Sequence, residues 1–414
     1  MTEIRSLLRI PDFRRLWMAQ VVSDFGDSLT LFTLLFLVQR LTGDETAVAT
    51  VLIASALPTL VVGLVAGVWV DRWNLRRVMV VSDLVRAGLV LCLLFVQSTW
   101  MLYLIVFLVA ATGTFFRPAR QALLPRVVSG RQLLSANSLN EVTRVVAYTS
   151  GTAVSGLLVG MAGAFAPVFV IDAATFLVSA SMVARVATRA DPAPGGEQAA
   201  AGVFSELVEG LRVMIGSRWL SGVLVGAALA MFGLGAVNGL IVPFVVGDIG
   251  LSESWFGLLE GAQALGVVVA GTLTAVLSAR FRPSNLISGG LVTLGALVAG
   301  FSLATGVVGL TLLMLAVGLA VAPVQASAST ILQREAPSRL LGRAASALSA
   351  GTTGAQVGSL AIAGALASVL GVRTVFAVAG AVVVLAGLTS LFLFGLARRR
   401  EPGHAPSVES EAPA

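Results

Sequence analysis

Gly67-Val68-Trp69-Val70-Asp71-Arg72-Trp73-Asn74-Leu75-Arg76-Arg77 closes one apolar block and opens the next. Upstream, 46–70 is apolar apart from a few hydroxyls; downstream, 78–96 is apolar apart from Asp83, Arg86 and a serine. Three arginines crowd the short break between them. Working outward in both directions, the same alternation continues to either end. The chain resolves into twelve apolar blocks near 13–40, 46–70, 78–96, 101–117, 133–161, 165–187, 219–247, 254–279, 284–304, 307–333, 340–370 and 373–397. A hydrocarbon core of about 30 Å takes about 20 apolar residues per helix. Continuous rather than alternating apolarity selects helices over barrel strands. The expected fold is an all-α integral membrane protein of twelve transmembrane helices.

The breaks are not equivalent. There is no lysine, so all 27 basic residues are arginine. Arg40 and Arg373 fall at breaks on one side; nearly all the others fall on the opposite side, from Arg5, Arg9, Arg14 and Arg15 before the first block to Arg398–Arg400 after the last. Cationic loops stay in the cytoplasm, so both termini are expected inside a bacterial plasma membrane. The first block carries Asp24 and Asp27 and no small-residue cleavage site, which reads as a retained span.

Composition excludes several classes. Hydrophobic residues make up 57% of the chain, leaving little for a soluble domain. The arginines are spread over inner loops rather than gathered on one face, so no nucleic-acid partner is expected. The single Cys92 lies in an apolar block and the single His404 in the polar tail. No catalytic constellation, metal-ligand set or phosphate-binding Gly-Lys loop is present, so neither an enzyme nor a cofactor is expected. A monomer among membrane lipids is the simplest assembly.

Thr188 to Ser217 is the long polar interruption, opening with Asp191-Pro192-Ala193-Pro194-Gly195-Gly196. Phe204, Leu207, Val208 and Leu211 then recur at helical spacing, which predicts an amphipathic helix on the inner membrane face. The organisation expected is a six-helix half over 1–187, a cytoplasmic linker over 188–217, a second half over 218–397 and a tail over 398–414. A shift of 208 positions aligns Arg131–Leu158 with Arg339–Leu366 without a gap, matching Ala136 to Ala344 and Gly156 to Gly364. That supports an internal repeat, and repeat-built transporters bind substrate near the midplane between halves.

The Gly67–Arg77 break resembles the loop signature of the major facilitator superfamily in Gly67, Asp71, Arg72, Arg76 and Arg77. Asn74 stands where a glycine is usual and Leu75 where a basic residue is usual. The resemblance implies that this loop latches the inner gate. Phe13-Arg14-Arg15-Leu16-Trp17, Ser23-Asp24-Phe25-Gly26-Asp27, Pro118-Ala119-Arg120 and Ala136-Asn137-Ser138-Leu139 are similar to one branch of that superfamily. It contains macrolide-efflux pumps, Tap-like drug pumps and enterobactin exporters. Span five departs from the drug/proton antiporters: Gly151-Thr152-Ala153-Val154-Ser155-Gly156 lacks their proline and one glycine.

Ionisable side chains at membrane depth cost about 3 kcal/mol each on insertion scales, so each needs a partner or a task. Gln20, Asp24, Asp27 and Thr30 share one face of span one. At 1.5 Å per residue, Asp24 lies about 16 Å from the inner end. Span five adds Glu141 and Arg144, and span six adds Asp172. Four acids then share Arg144 as their deep base, while Asp83 and Arg86 are expected nearer the inner end in gate or snorkelling roles. Asp24, Asp27, Glu141, Arg144 and Asp172 are the expected proton-coupling group. Gln20, Phe32, Asn238, Gln263 and Gln325 are the expected lining of the substrate cavity. Together these readings imply a secondary transporter exporting amphiphilic drug-like molecules by proton antiport. A lysophospholipid flippase, a siderophore exporter and a non-transporting membrane sensor stand as alternatives.

Overall fold

The computed structural model describes residues 2–62, 70, 72–162, 165–188, 203–337 and 340–399. It contains α1 (Thr2–Leu8), α2 (Pro11–Thr42), α3 (Glu45–Val61), α4 (Leu75–Cys92), α5 (Thr99–Val127), α6 (Gly130–Ala162), α7 (Ala166–Ala184) and α8 (Val203–Gly216). Then follow α9 (Arg218–Val242), α10 (Phe256–Arg280), α11 (Pro283–Gly300), α12 (Val307–Glu335), α13 (Leu341–Leu370) and α14 (Val372–Arg399). Ten of these segments are long and apolar enough to cross a membrane; α3 is a shorter apolar helix. The polar stripe foreseen on span five sits on α6, which completes the twelve.

Local chemistry places the helix ends. Pro11 and Pro283 occupy first-turn positions of α2 and α11, where the missing N–H costs nothing. Asp44 caps α3 by accepting from the Thr46 amide at 2.8 Å, and Gly43 closes α2 with φ of 61°. Asn74, the residue that departs from the loop signature, caps α4 by accepting from the Arg77 amide at 3.1 Å. α9 continues through a π-helical stretch, Pro243–Asp248.

One boundary and one packing partner differ from expectation. The fourth span does not stop at 117: α5 runs on through Pro118 and Pro125 to Val127, carrying Arg117, Arg120 and Arg126 on a helix rather than in a loop. Helical proline at such positions is tolerated where hydroxyls and neighbouring helices satisfy the freed carbonyls. The predicted amphipathic α8 does form, but its apolar face is not simply laid on lipid. Leu207, Val213 and Met214 pack with Leu332, Ala344 and Ala347, and Glu209 pairs with Arg343 of α13.

Helix pairing falls into two matching sets. In the first, α2 packs on α6 and α7, α4 on α5 and α7, and α3 on α5. In the second, α9 packs on α13 and α14, α11 on α12 and α14, and α10 on α12. The cross-set contacts also match, α3 with α13 and α10 with α6. The 208-residue shift is visible atom by atom. A Cβ at Gly156 would sit 2.5 Å from the Glu253 carbonyl oxygen, and one at its counterpart Gly364 would sit 2.7 Å from the Thr46 Cα and 3.2 Å from the Glu45 carbonyl oxygen. Small residues at such crossings let backbones approach, which is how helices associate without a hydrophobic drive between them.

Candidate transport site

A cavity of about 1610 Å³ lies between the two sets of helices. It reaches the arginine-rich end, where Gln121, Leu207 and Arg343 line it. The opposite end is sealed. There Phe36 and Phe256 meet at 5.0 Å, Phe32 touches Phe256 at 6.2 Å and Tyr148 at 5.9 Å. Beyond them the Arg40 Nε donates to Glu253 Oε1 at 2.6 Å, a bridge between the two sets of helices. Above the seal and below the mouth, Leu31, Leu34, Val90, Leu93, Val106 and Val109 supply apolar wall.

Arg86 is the most buried arginine among the described residues. It stands eleven residues past the start of α4, about 16 Å along the axis, and is 4% exposed. Its guanidinium pairs with Asp83 and reaches Asp27 Oδ2 at 3.3 Å. Phe176 and Phe116 flank it, with ring centroids at 4.3 and 5.2 Å, which suits a planar, weakly hydrated cation. Asp83 is fully buried and also accepts from Ser179 Oγ at 2.6 Å. Asp27 differs, because 43% of its side chain is open to the cavity. Asp172 of α7 is buried beside it and accepts from Thr175 Oγ1 at 3.2 Å. Gly26 makes this juncture possible, since a Cβ there would collide with Asp172 Oδ1 and Thr175 Oγ1.

One turn toward the mouth, Gln20 Nε2 donates to both oxygens of Asp24 at 2.9 Å. Arg117, Arg120 and Arg144 line the same cavity. Asn137 and Asn140 add amides to the same wall. On the facing wall, α13 presents the small, uncharged Ser346, Ser349, Ala350 and Thr353, with Arg343 at the mouth.

Of the expected coupling group, Asp24, Asp27, Arg144 and Asp172 line the cavity together. Glu141 lies on α6, and its side chain is outside the described residues. The expectation that Arg144 serves as the one deep base is corrected by Arg86, which holds Asp27 and Asp83 at mid-helix. α4 begins three residues before the expected span, and this moves both residues deeper. A lone Asp-x-x-Arg pair in an otherwise uncharged span was the available signal. Of the expected cavity residues, Gln20 lines it. Phe32 is buried in the aromatic seal instead. Asn238, Gln263 and Gln325 are also not part of the lining, because α9 to α12 contribute none among the described residues. Of the expected gate loop, Gly67 and Asp71 lie outside the described residues, and Arg72 and Arg77 are exposed. Arg76 donates to the Val186 carbonyl at 2.6 Å, tying the start of α4 to the segment after α7. Asp12 works beside it, accepting from the Ala187 and Thr188 amides at 3.0 and 2.8 Å.

The sequence profile of a family described as transmembrane secretion effector matches residues 5–413. The multidrug efflux pump Tap of Mycolicibacterium fortuitum is 27% identical over 396 residues, covering 91% of this chain and 94% of the relative. The uncharacterised MFS-type transporter YfiS of Bacillus subtilis is 26% identical over 385 residues, covering 90% and 91%. Among solved structures, a bacterial homologue of the human lysosomal transporter Spinster, inward-facing and unoccupied, superposes with a TM-score of 0.75 at 14% identity, covering 95% of this chain and 98% of its own. A bacterial homologue of the iron transporter ferroportin, inward-facing, gives 0.70 at 17% identity, covering 94% and 99%.

Proposed function

Because the chain belongs to the transmembrane secretion effector family of the major facilitator superfamily, we propose that it exports amphiphilic small molecules across the bacterial cell membrane by proton antiport. Distant Tap relatives support the efflux reading. The observation that carries the coupling is Asp27: a carboxylate open to the cavity, held at 3.3 Å by an arginine that a second, buried carboxylate also holds.

In this reading the halves, 1–187 and 218–397, rock about the cavity. With the cavity open at the arginine-rich end, substrate enters from the cytoplasm between α5, α6 and α13. Asp27 in its ionised form is stabilised by Arg86. A proton arriving from the far side neutralises Asp27, loosens its hold on Arg86 and leaves Asp83 as the sole partner of that guanidinium. The proton leaves toward the cytoplasm when Arg86 re-engages Asp27. Asp83, fully buried and held by Ser179 as well as by Arg86, is the fixed partner. Apolar walls beyond Arg86 accept the hydrocarbon part of the substrate.

Two experiments test this. The first concerns orientation. In a Cys92→Ser background, cysteine introduced at Asp44 labels from outside, and cysteine at Ser407 labels only after permeabilisation; the reverse pattern overturns it. The second is a susceptibility panel in a pump-deleted host, followed by transport of the compound it selects in proteoliposomes. Accumulation driven by an imposed proton gradient supports antiport; a rate indifferent to the gradient removes it.

A further inference from the structure

We infer that a groove on the lipid face of α10, α11 and α12 binds one phospholipid from the leaflet at the arginine-rich end. Arg280 and Arg282 hold its acidic head group, and one acyl chain lies along Gly289. This site is independent of the proton cycle proposed above, because it concerns binding alone.

The groove has a volume of about 310 Å³ and shares no residue with the central cavity. Leu277 and Phe281 at the end of α10, Leu319 and Pro323 of α12, and Gly289 and Thr293 of α11 line it. Leu273 and Val276, just before it on α10, are exposed and lie outside the cavity, so this face meets lipid. Gly289 lies six residues into α11, about 9 Å from its start, and Pro323 twelve before the end of α12, about 18 Å. The groove therefore runs from the arginine-rich end to about the middle of a 30 Å core. Thr293 Oγ1 donates to the Gly289 carbonyl at 3.0 Å, so that hydroxyl is satisfied within its own helix.

The internal repeat shows what is missing here. α11 and α12 begin and end 208 residues after α4 and α5. At the same shift Phe281 corresponds to Trp73, Pro323 to Phe115 and Gly289 to Val81. In the first half Trp73 and Phe115 meet ring to ring, with centroids 6.2 Å apart. That half fills the equivalent place with its own side chains. In the second half one ring of the pair is gone, and a Cβ on Gly289 would meet no atom within 4 Å. An unfilled groove forfeits dispersion contacts along its lining, and among lipid tails the filler at hand is an acyl chain.

Charge selects the head group. Arg280 and Arg282 are exposed and flank Phe281, at the end of the groove nearest the head groups. The chain has no acid between Glu260 and Glu335, a stretch that covers α11 and nearly all of α10 and α12. Basic pockets between spans attract acidic head groups, and guanidinium forks suit phosphate oxygens. A second copy of the chain in the same orientation is a poorer occupant. It would bring its own arginine-rich end to this level, where like charges repel.

Native mass spectrometry of the full chain, purified in detergent and titrated with lipid, tests this. The probes are dioleoylphosphatidylglycerol, dioleoylphosphatidylcholine and glycerol phosphate. One phosphatidylglycerol is expected to stay bound under activation that strips phosphatidylcholine. Gly289→Leu fills the groove and should weaken that binding about tenfold. The double variant Arg280→Gln, Arg282→Gln should lower the preference for phosphatidylglycerol about thirtyfold. Gly271→Leu, on an exposed position of α10 with nothing within 4 Å, should leave both unchanged. Melting profiles establish that each variant is folded; the double variant alters only exposed side chains, so it decides the matter should Gly289→Leu fail to fold. Equal retention of the two lipids by the wild type overturns the inference, and so does a folded Gly289→Leu that binds like wild type. Displacement of the lipid by glycerol phosphate overturns it too, since the site would then need no chain. A dimer that Gly289→Leu abolishes would give the groove to a second copy and overturn it equally.

Discussion

Arg86 holds two carboxylates, one fully buried and one open to water, while two phenyl rings flank it. Removing one partner of a buried ion pair strands the other, at a cost of about 3–5 kcal/mol. Arg86→Gln is therefore expected to lower the melting temperature sharply, with Arg86→Lys intermediate because an ammonium cannot serve both carboxylates and the rings as a planar fork does. A glutamine variant that melts like wild type would remove Arg86 as the organising cation. The acids of span one and the basic residue of span five were legible in the sequence as a polar stripe at helical spacing. Arg86 was not, because its depth depends on a helix start that Asn74 sets by capping, three residues before hydropathy alone places it. Face periodicity also says which residues share a side, not which side meets the cavity. Asn238, Gln263 and Gln325 were credible lining residues on that ground, and the cavity instead lies against the first half and α13.

At the scale of elements, glycines mark where helices cross. Gly266 and Gly318 meet between α10 and α12: a Cβ at Gly318 would collide with the Gln263 carbonyl oxygen, and one at Gly266 with that of Leu315. Backbone on the far side of each contact leaves no side chain to rotate away. Gly318→Val should cost about 1–3 kcal/mol by overpacking, read as a lower melting temperature. Gly309→Val, a helical glycine of α12 with nothing within 4 Å, should not. Equal effects at both positions would mean helix propensity rather than packing sets the outcome. Spans, the α8 pattern and the repeat were all readable from arginine rhythm and apolar periodicity. The partner of α8 was not, since an amphipathic face looks the same whether lipid or α13 covers it.

For the whole molecule, the matching helix pairs and the equivalent contacts at Gly156 and Gly364 describe two sets of helices packed in the same way. The far end is held by the aromatic seal and by the Arg40–Glu253 bridge. Glu253→Arg should therefore weaken the sealed state and expose a cysteine placed at Leu37 to labelling from the Asp44 side. The exchange Arg40→Glu with Glu253→Arg should restore protection. Labelling that ignores both substitutions would show that the bridge does not hold that end. In the proposed cycle, movement of the two halves is coupled to a proton on Asp27. Everted membrane vesicles, loaded by an imposed proton gradient with the compound that the susceptibility panel selects, test it most directly. Uphill accumulation by the wild type that a protonophore abolishes is expected, together with an Asp27→Asn variant that folds and equilibrates the compound but never accumulates it. Asp27→Asn vesicles that accumulate the compound like wild type would rule out Asp27 as the coupling group.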